Sequence, residues 1–110
     1  MIDGKLNDNE LEQVNGGAVE IKSVLSLNSA VGSLQKAIKT YWGSSYKQNP
    51  YYSDIDRTVG LLQARIMNNG DRWEPFNHLK DLVNNTGVLA DSETNSIWQT
   101  ICDNIGKYYV

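Results

Sequence analysis

The residues able to do chemistry are few and scattered. His78 is the only histidine and Cys102 the only cysteine. A metal site or a nucleophile-base pair needs several such groups brought together in space, so each of these alone reads as structural. His78, between Phe76 and Leu79 on a helical pattern, is expected as a partly exposed helix residue. Cys102 follows Ile101 in an apolar stripe. With nothing basic close by to lower its pKa, it is expected as a small core residue and not as a reactive thiol. Carboxylate pairs exist, such as Asp54 with Asp56. Residues two apart on a helix point different ways, so capping and the helix dipole account for them better than acid-base catalysis does. The chain has no phosphate loop, no dinucleotide fingerprint and no nucleophile elbow. The expected catalytic residues, cofactor-binding residues and metal ligands are therefore none.

Aromatic residues are the more informative group. Tyr41, Trp42, Tyr46, Tyr51, Tyr52, Trp73, Phe76, Trp98, Tyr108 and Tyr109 gather near predicted helix ends and loops. Trp73 and Trp98 are expected to fill the core. Tyr46, Tyr51 and Tyr52 fall in a predicted loop, and Tyr108 and Tyr109 at the end of the chain. Amphipathic rings in such places pack on a neighbouring helix or meet a partner or a membrane interface.

The elements that must position these groups are helical. Ile21, Val24, Leu27, Val31, Leu34, Ile38 and Tyr41 recur at steps of three and four, which predicts one long helix over 18–42. Leu27, Val31, Leu34 and Ile38 should be buried. Gly43-Ser44-Ser45 ends that helix, and Asn49-Pro50 extends the loop. Ser53 is the expected N-cap of a second helix lined by Ile55, Val59, Leu62 and Ile66. Asn68-Asn69-Gly70 supplies a left-handed stop. A third helix, capped by Asp71, has Pro75 in its first turn and Trp73, Phe76, Leu79, Leu82 and Val83 on its apolar face. It stops at Asn85-Thr86-Gly87, and Val88, Leu89 and Ala90 form an apolar plug. A fourth begins at Asp91 or Ser92 and runs to about Tyr109, with Ile97, Trp98, Ile101, Ile105 and Tyr108 on one face. No segment alternates with period two. Short connections make neighbouring helices antiparallel. The expected fold is an all-α, antiparallel up-down four-helix bundle, the alternative being a three-helix bundle with an extra short helix.

Composition agrees with one ordinary globular domain: 110 residues, 40% hydrophobic and 21% charged. A single cysteine rules out an intramolecular disulfide. No apolar run nears the ~20 residues that span a bilayer. The net charge of −3 sits wholly in residues 1–17, where Asp3, Asp8, Glu10 and Glu12 face Lys5 alone; residues 18–110 balance. A neutral body lacks the basic surplus of a nucleic-acid binder, which disfavours a DNA-binding regulator. It also disfavours simple attachment to anionic lipid.

Residues 1–17 differ from the rest and are expected to be dispensable for folding. They are polar and end in Gly16-Gly17, with Leu6, Leu11 and Val14 as their main apolar residues. The run Leu6-Asn7-Asp8-Asn9-Glu10-Leu11-Glu12-Gln13-Val14-Asn15-Gly16-Gly17 resembles the double-glycine leader of peptides exported by Gram-positive bacteriocin transporters, with Asn7 in place of the usual serine. The resemblance implies that Leu6, Leu11 and Val14 present one apolar edge to a protease groove. Gly16 and Gly17 would then pass through its narrow cleft. This divides the chain into a leader-like segment, 1–17, and a bundle domain, 18–110.

Residues 20–108 are similar to the enterocin A-type bacteriocin immunity family. The match rests on Asn49-Pro50-Tyr51-Tyr52-Ser53-Asp54-Ile55 leading into the second helix, on the spacing of the next two apolar helices, and on Asp103-Asn104-Ile105-Gly106 in the last. The resemblance implies a cytoplasmic bundle that protects a producer cell by binding, without catalysis or cofactor. The implied partner is a membrane sugar permease acting as bacteriocin receptor, or the bacteriocin-receptor complex, with specificity in the C-terminal half. Trp73, Phe76, His78, Tyr108 and Tyr109 are the candidate contacts there. The neutral body and the leader-like segment depart from the family pattern and resemble a fusion within a Blp-type bacteriocin locus. The competing expectation is a secreted bacteriocin-like effector released by cleavage after Gly17.

Overall fold

The computed structural model describes residues 20–110; the leader-like motif of Leu6, Leu11, Val14, Gly16 and Gly17 lies outside them. The described chain forms four helices, α1 (Val24–Trp42), α2 (Tyr52–Met67), α3 (Trp73–Thr86) and α4 (Ser92–Asn104), and contains no strand. Short 3-10 helices, Gly43–Gln48 and Val88–Ala90, fill two of the connections. No helix among the described residues is long and apolar enough to cross a membrane.

Each stripe read from the sequence meets the others in one core. Leu27, Val31, Leu34 and Ile38 of α1 are fully buried, with Ile55, Val59, Leu62 and Ile66 of α2, Leu79 and Val83 of α3, and Ile97 and Ile101 of α4. Val88 plugs the α3–α4 connection, as its apolar type requires, while Ala90 of the same turn is exposed. Polar contacts fix the helix directions. Gln35, late in α1, donates to Asp56, early in α2, at 2.6 Å. Gln63, late in α2, donates to the carbonyl of Asn28, early in α1, at 3.2 Å. The pair is therefore antiparallel. Arg65 with Glu74, and Asp54 with His78, impose the same relation on α2 and α3.

Helix boundaries differ from expectation at three starts and one end. α1 starts at Val24, not near Ala18, because Ser23 and Ser26 cap reciprocally: each hydroxyl takes the other's backbone N–H. α2 starts at Tyr52, one residue before the expected cap Ser53. Asn49 already turns the chain, its side-chain oxygen accepting from the Tyr51 N–H at 2.8 Å and its carbonyl from the Tyr52 N–H at 3.1 Å. α3 starts at Trp73 with Arg72 as its cap residue, while Asp71, the expected cap, accepts from the Trp73 N–H at 3.0 Å just outside the helix. α4 stops at Asn104, short of the expected Tyr109, because residues 105–110 leave the helix to cross the start of α3.

The remaining stops behave as their residue types predict. Asn69 takes a left-handed φ of 56° after α2, and Gly87 one of 76° after α3. Asp91 caps α4 through the Thr94 N–H at 3.0 Å.

Candidate functional site

The most constructed feature of the molecule lies where the end of the chain meets the α2–α3 turn. Its centre is Arg72, at the start of α3 and only 1% exposed. One terminal nitrogen donates to the carbonyls of Ile105 at 3.1 Å and Lys107 at 2.9 Å; the other donates to that of Tyr108 at 3.1 Å. These carbonyls lie just past the C-terminal end of α4, where helix carbonyls lack partners and the dipole favours a cation. The guanidinium also lies over the ring of Tyr109, 4.1 Å from its centre. Its Nε is buried without a hydrogen-bond partner among the described residues.

Neighbouring residues hold the same strap. The Asn69 side-chain amide donates to the main-chain oxygen of Val110 at 2.8 Å and accepts from the Val110 N–H at 2.9 Å. Tyr108 turns the chain with a φ of 64°, and its hydroxyl donates to the Ile21 carbonyl at 3.3 Å. The start of the described chain and the strap thus share one corner. Gly106 packs beside the Trp73 ring, which a Cβ at that position would meet at an ordinary contact distance of 3.4 Å.

Trp73 is not the core residue that its apolar spacing suggests. It is 45% exposed, beside Gly106 and edge-on to Phe76 at 5.7 Å. The inward position goes instead to Phe76, which stacks on Trp98 at 5.3 Å, both rings being buried. As the first residue of α3, Trp73 has no preceding turn of helix to close over it. Tyr109 is 57% exposed.

Of the five candidate contact residues, the corner brings together Trp73, Tyr108 and Tyr109. Phe76 lies beneath them in the core. His78 is exposed, as expected, but faces the start of α2, where its Nε2 stands 3.1 Å from Asp54. Asp54 is also bound by Arg57. Arg72 was not singled out by residue pattern, and Asn69 and Gly106 were read only as part of a helix stop and of a family-like run. An arginine between two helices carries no periodic signal, and its burial depends on a segment more than thirty residues away.

The second polar cluster is at the far end of α2. The Tyr46 hydroxyl and the Gln35 amide both donate to one oxygen of Asp56. Burial, then the bond and charge of Asp56, push the Tyr46 phenol far above its ordinary range. Asp54 and Asp56 therefore serve different neighbours, and their carboxylates share no cleft. Cys102 packs partly against the core, where burial and then Asp103 raise its thiol pKa. That keeps it protonated and weakly nucleophilic. No three His, Cys, Asp or Glu side chains gather as a metal site among the described residues.

No family model, curated protein or solved structure matches this chain.

Proposed function

We propose that this protein is an immunity-type interaction protein of a bacteriocin system, acting by binding and without turnover. One observation carries the reading: the lead-in Asn49-Pro50-Tyr51-Tyr52-Ser53-Asp54-Ile55, similar to that of the enterocin A-type immunity family, stands at the start of the second helix of a four-helix bundle. The exposed aromatic corner of Trp73 and Tyr109 offers the contact surface, in the C-terminal half where that resemblance puts specificity. Its partner would be a membrane sugar permease or a bacteriocin-receptor complex, met from the cytoplasmic side. Deleting the gene from a producer strain should make the cells sensitive to a co-encoded bacteriocin. Unchanged sensitivity to every such peptide rejects the reading.

The motif from Leu6 to Gly17 supports a second reading, an exported effector that starts at Ala18. Mass spectrometry of culture medium separates the two. A secreted product beginning at Ala18 supports export, whereas full-length protein confined to cells supports an intracellular role.

A further inference from the structure

The α2–α3 turn places a chemically reactive step at the surface, Asn69-Gly70. Asn69 takes the left-handed φ of 56°, which asparagine tolerates better than most side chains. Gly70 lies so close to Arg65 that a Cβ there would stand 2.8 Å from its Cδ, and Arg65 is itself held by the Asp71 carbonyl at 2.7 Å. An asparagine followed by glycine is the pair in which a main-chain nitrogen most easily attacks the preceding side-chain amide, because glycine has no Cβ to obstruct the approach. Asn69 is exposed, so water reaches it. Three hydrogen bonds stand against the reaction. The Gly70 N–H donates to the Arg65 carbonyl at 2.9 Å, and its nitrogen must give up that bond and its proton before it can attack. The Asn69 amide is held at both its atoms by Val110, Nδ2 donating to the main-chain oxygen at 2.8 Å and Oδ1 accepting from the N–H at 2.9 Å. Its Cγ is thereby kept from swinging towards Gly70.

We propose that Asn69 is a modification site whose spontaneous deamidation is gated by the strap of residues 105–110. When the strap lifts, the Asn69 side chain is released. The Gly70 nitrogen loses its proton and bonds to Cγ, the Cγ–Nδ2 bond breaks, and ammonia leaves with that proton. Water then adds to either carbonyl carbon of the resulting succinimide and opens the ring at that C–N bond, giving aspartate or isoaspartate. Neither product closes the strap as asparagine did. An ionised aspartate is acceptor-only, so it cannot donate to the Val110 oxygen and sets a negative charge against it. Isoaspartate adds a main-chain methylene to a turn whose path is confined by Arg65. The step is therefore a one-way latch on the corner that Arg72 organises, and its rate follows how often the strap opens.

The test follows residue 69 of the full chain by peptide mass spectrometry during incubation in mildly alkaline buffer, folded and in urea. Peptide mapping separates this step from Asn15-Gly16, the other Asn-Gly pair in the sequence. Conversion of Asn69 should be at least about tenfold slower in the folded chain than in urea, since it waits on local opening. Val110→Pro deletes the N–H that Oδ1 accepts from and should speed the folded reaction several-fold, with helical circular dichroism unchanged. Equal rates in the folded and unfolded chain, or a folded rate that Val110→Pro leaves unmoved, overturn the gating. The latch is read separately in Asn69→Asp. Hydrogen exchange at residues 107–110 should be faster in that variant than in the natural chain, with the amides of the four helices unchanged. Strap amides that exchange as slowly as in the natural chain overturn it.

Discussion

Arg72 carries its guanidinium carbon 4.1 Å above the centre of the Tyr109 ring, while its terminal nitrogens hold three main-chain carbonyls of residues 105–108. A buried charge is thereby neutralised by dipoles and a ring face instead of a carboxylate. Arg72→Ala removes the donors and leaves those carbonyls near a wall without partners. The expected loss is roughly 2–4 kcal/mol, from unmade bonds to a charged group and orphaned acceptors. Arg72→Lys should recover little of it, because one ammonium cannot reproduce the planar fork. Urea unfolding of both variants measures this; a lysine variant as stable as the parent would show that charge alone matters at this position.

The core of α1 gives a second prediction. Leu34 is fully buried among all four helices' apolar residues. Leu34→Ala should destabilise the bundle by about 2–5 kcal/mol through lost burial and a residual cavity. The large share of a domain's total stability that this represents makes it visible in any melting experiment. Melting like that of the parent would remove α1 from the core.

Tyr46 makes stability depend on alkaline pH. Its phenol holds its proton more tightly when folded than at its ordinary value of 10.0, first through burial and then through Asp56. Below that value both states keep the proton and the contribution is fully present. Above it the unfolded chain loses a proton that the folded chain retains, so stability falls as pH rises. The urea midpoint should drop between about pH 9.5 and 11, and Tyr46→Phe should flatten the part of that slope due to this group. Identical slopes in the two proteins would mean that the Tyr46–Asp56 contact adds nothing in solution.

At the start of α4, Asp91 accepts from both the N–H and the hydroxyl of Thr94, at 3.0 and 2.8 Å, and Thr94 is fully buried. Asp91→Ala should cost about 0.5–2 kcal/mol, the usual range for a lost N-cap. Asp91→Asn should retain most of the stability, since its side-chain oxygen can still accept from the backbone. Thermal melts of the two variants should rank in that order.

Residues 1–17 should be dispensable for folding. Their few apolar side chains, at about 25 cal/mol per Å², bury too little to exceed an ordering cost of about 1–2 kcal/mol per residue. A chain starting at Ala18 should keep its helical circular dichroism and lose little melting temperature. Loss of cooperative unfolding would make the segment part of the core.

The four-helix bundle was legible because period alone marks a helix with one apolar face, and its stops are local chemistry. Leu27, Val31, Leu34 and Ile38 had to be inside whatever the partners were, and Gly87, Asn69 and Asp91 act through their own backbone neighbourhoods. The same reasoning places Trp73 inside, because apolar spacing does not say whether another element covers a helix end. Nor does it say that Tyr46, in a loop by pattern, would be drawn inward to Asp56. The corner itself was decided only by tertiary structure. Arg72 is buried because residues 105–110 cross over it, and Tyr109 is half exposed because it lies on the outer side of that crossing. Helix periodicity is written in residues three and four apart. The Arg72 contacts join residues 33 to 36 apart, and such pairing exists only once the chain has folded.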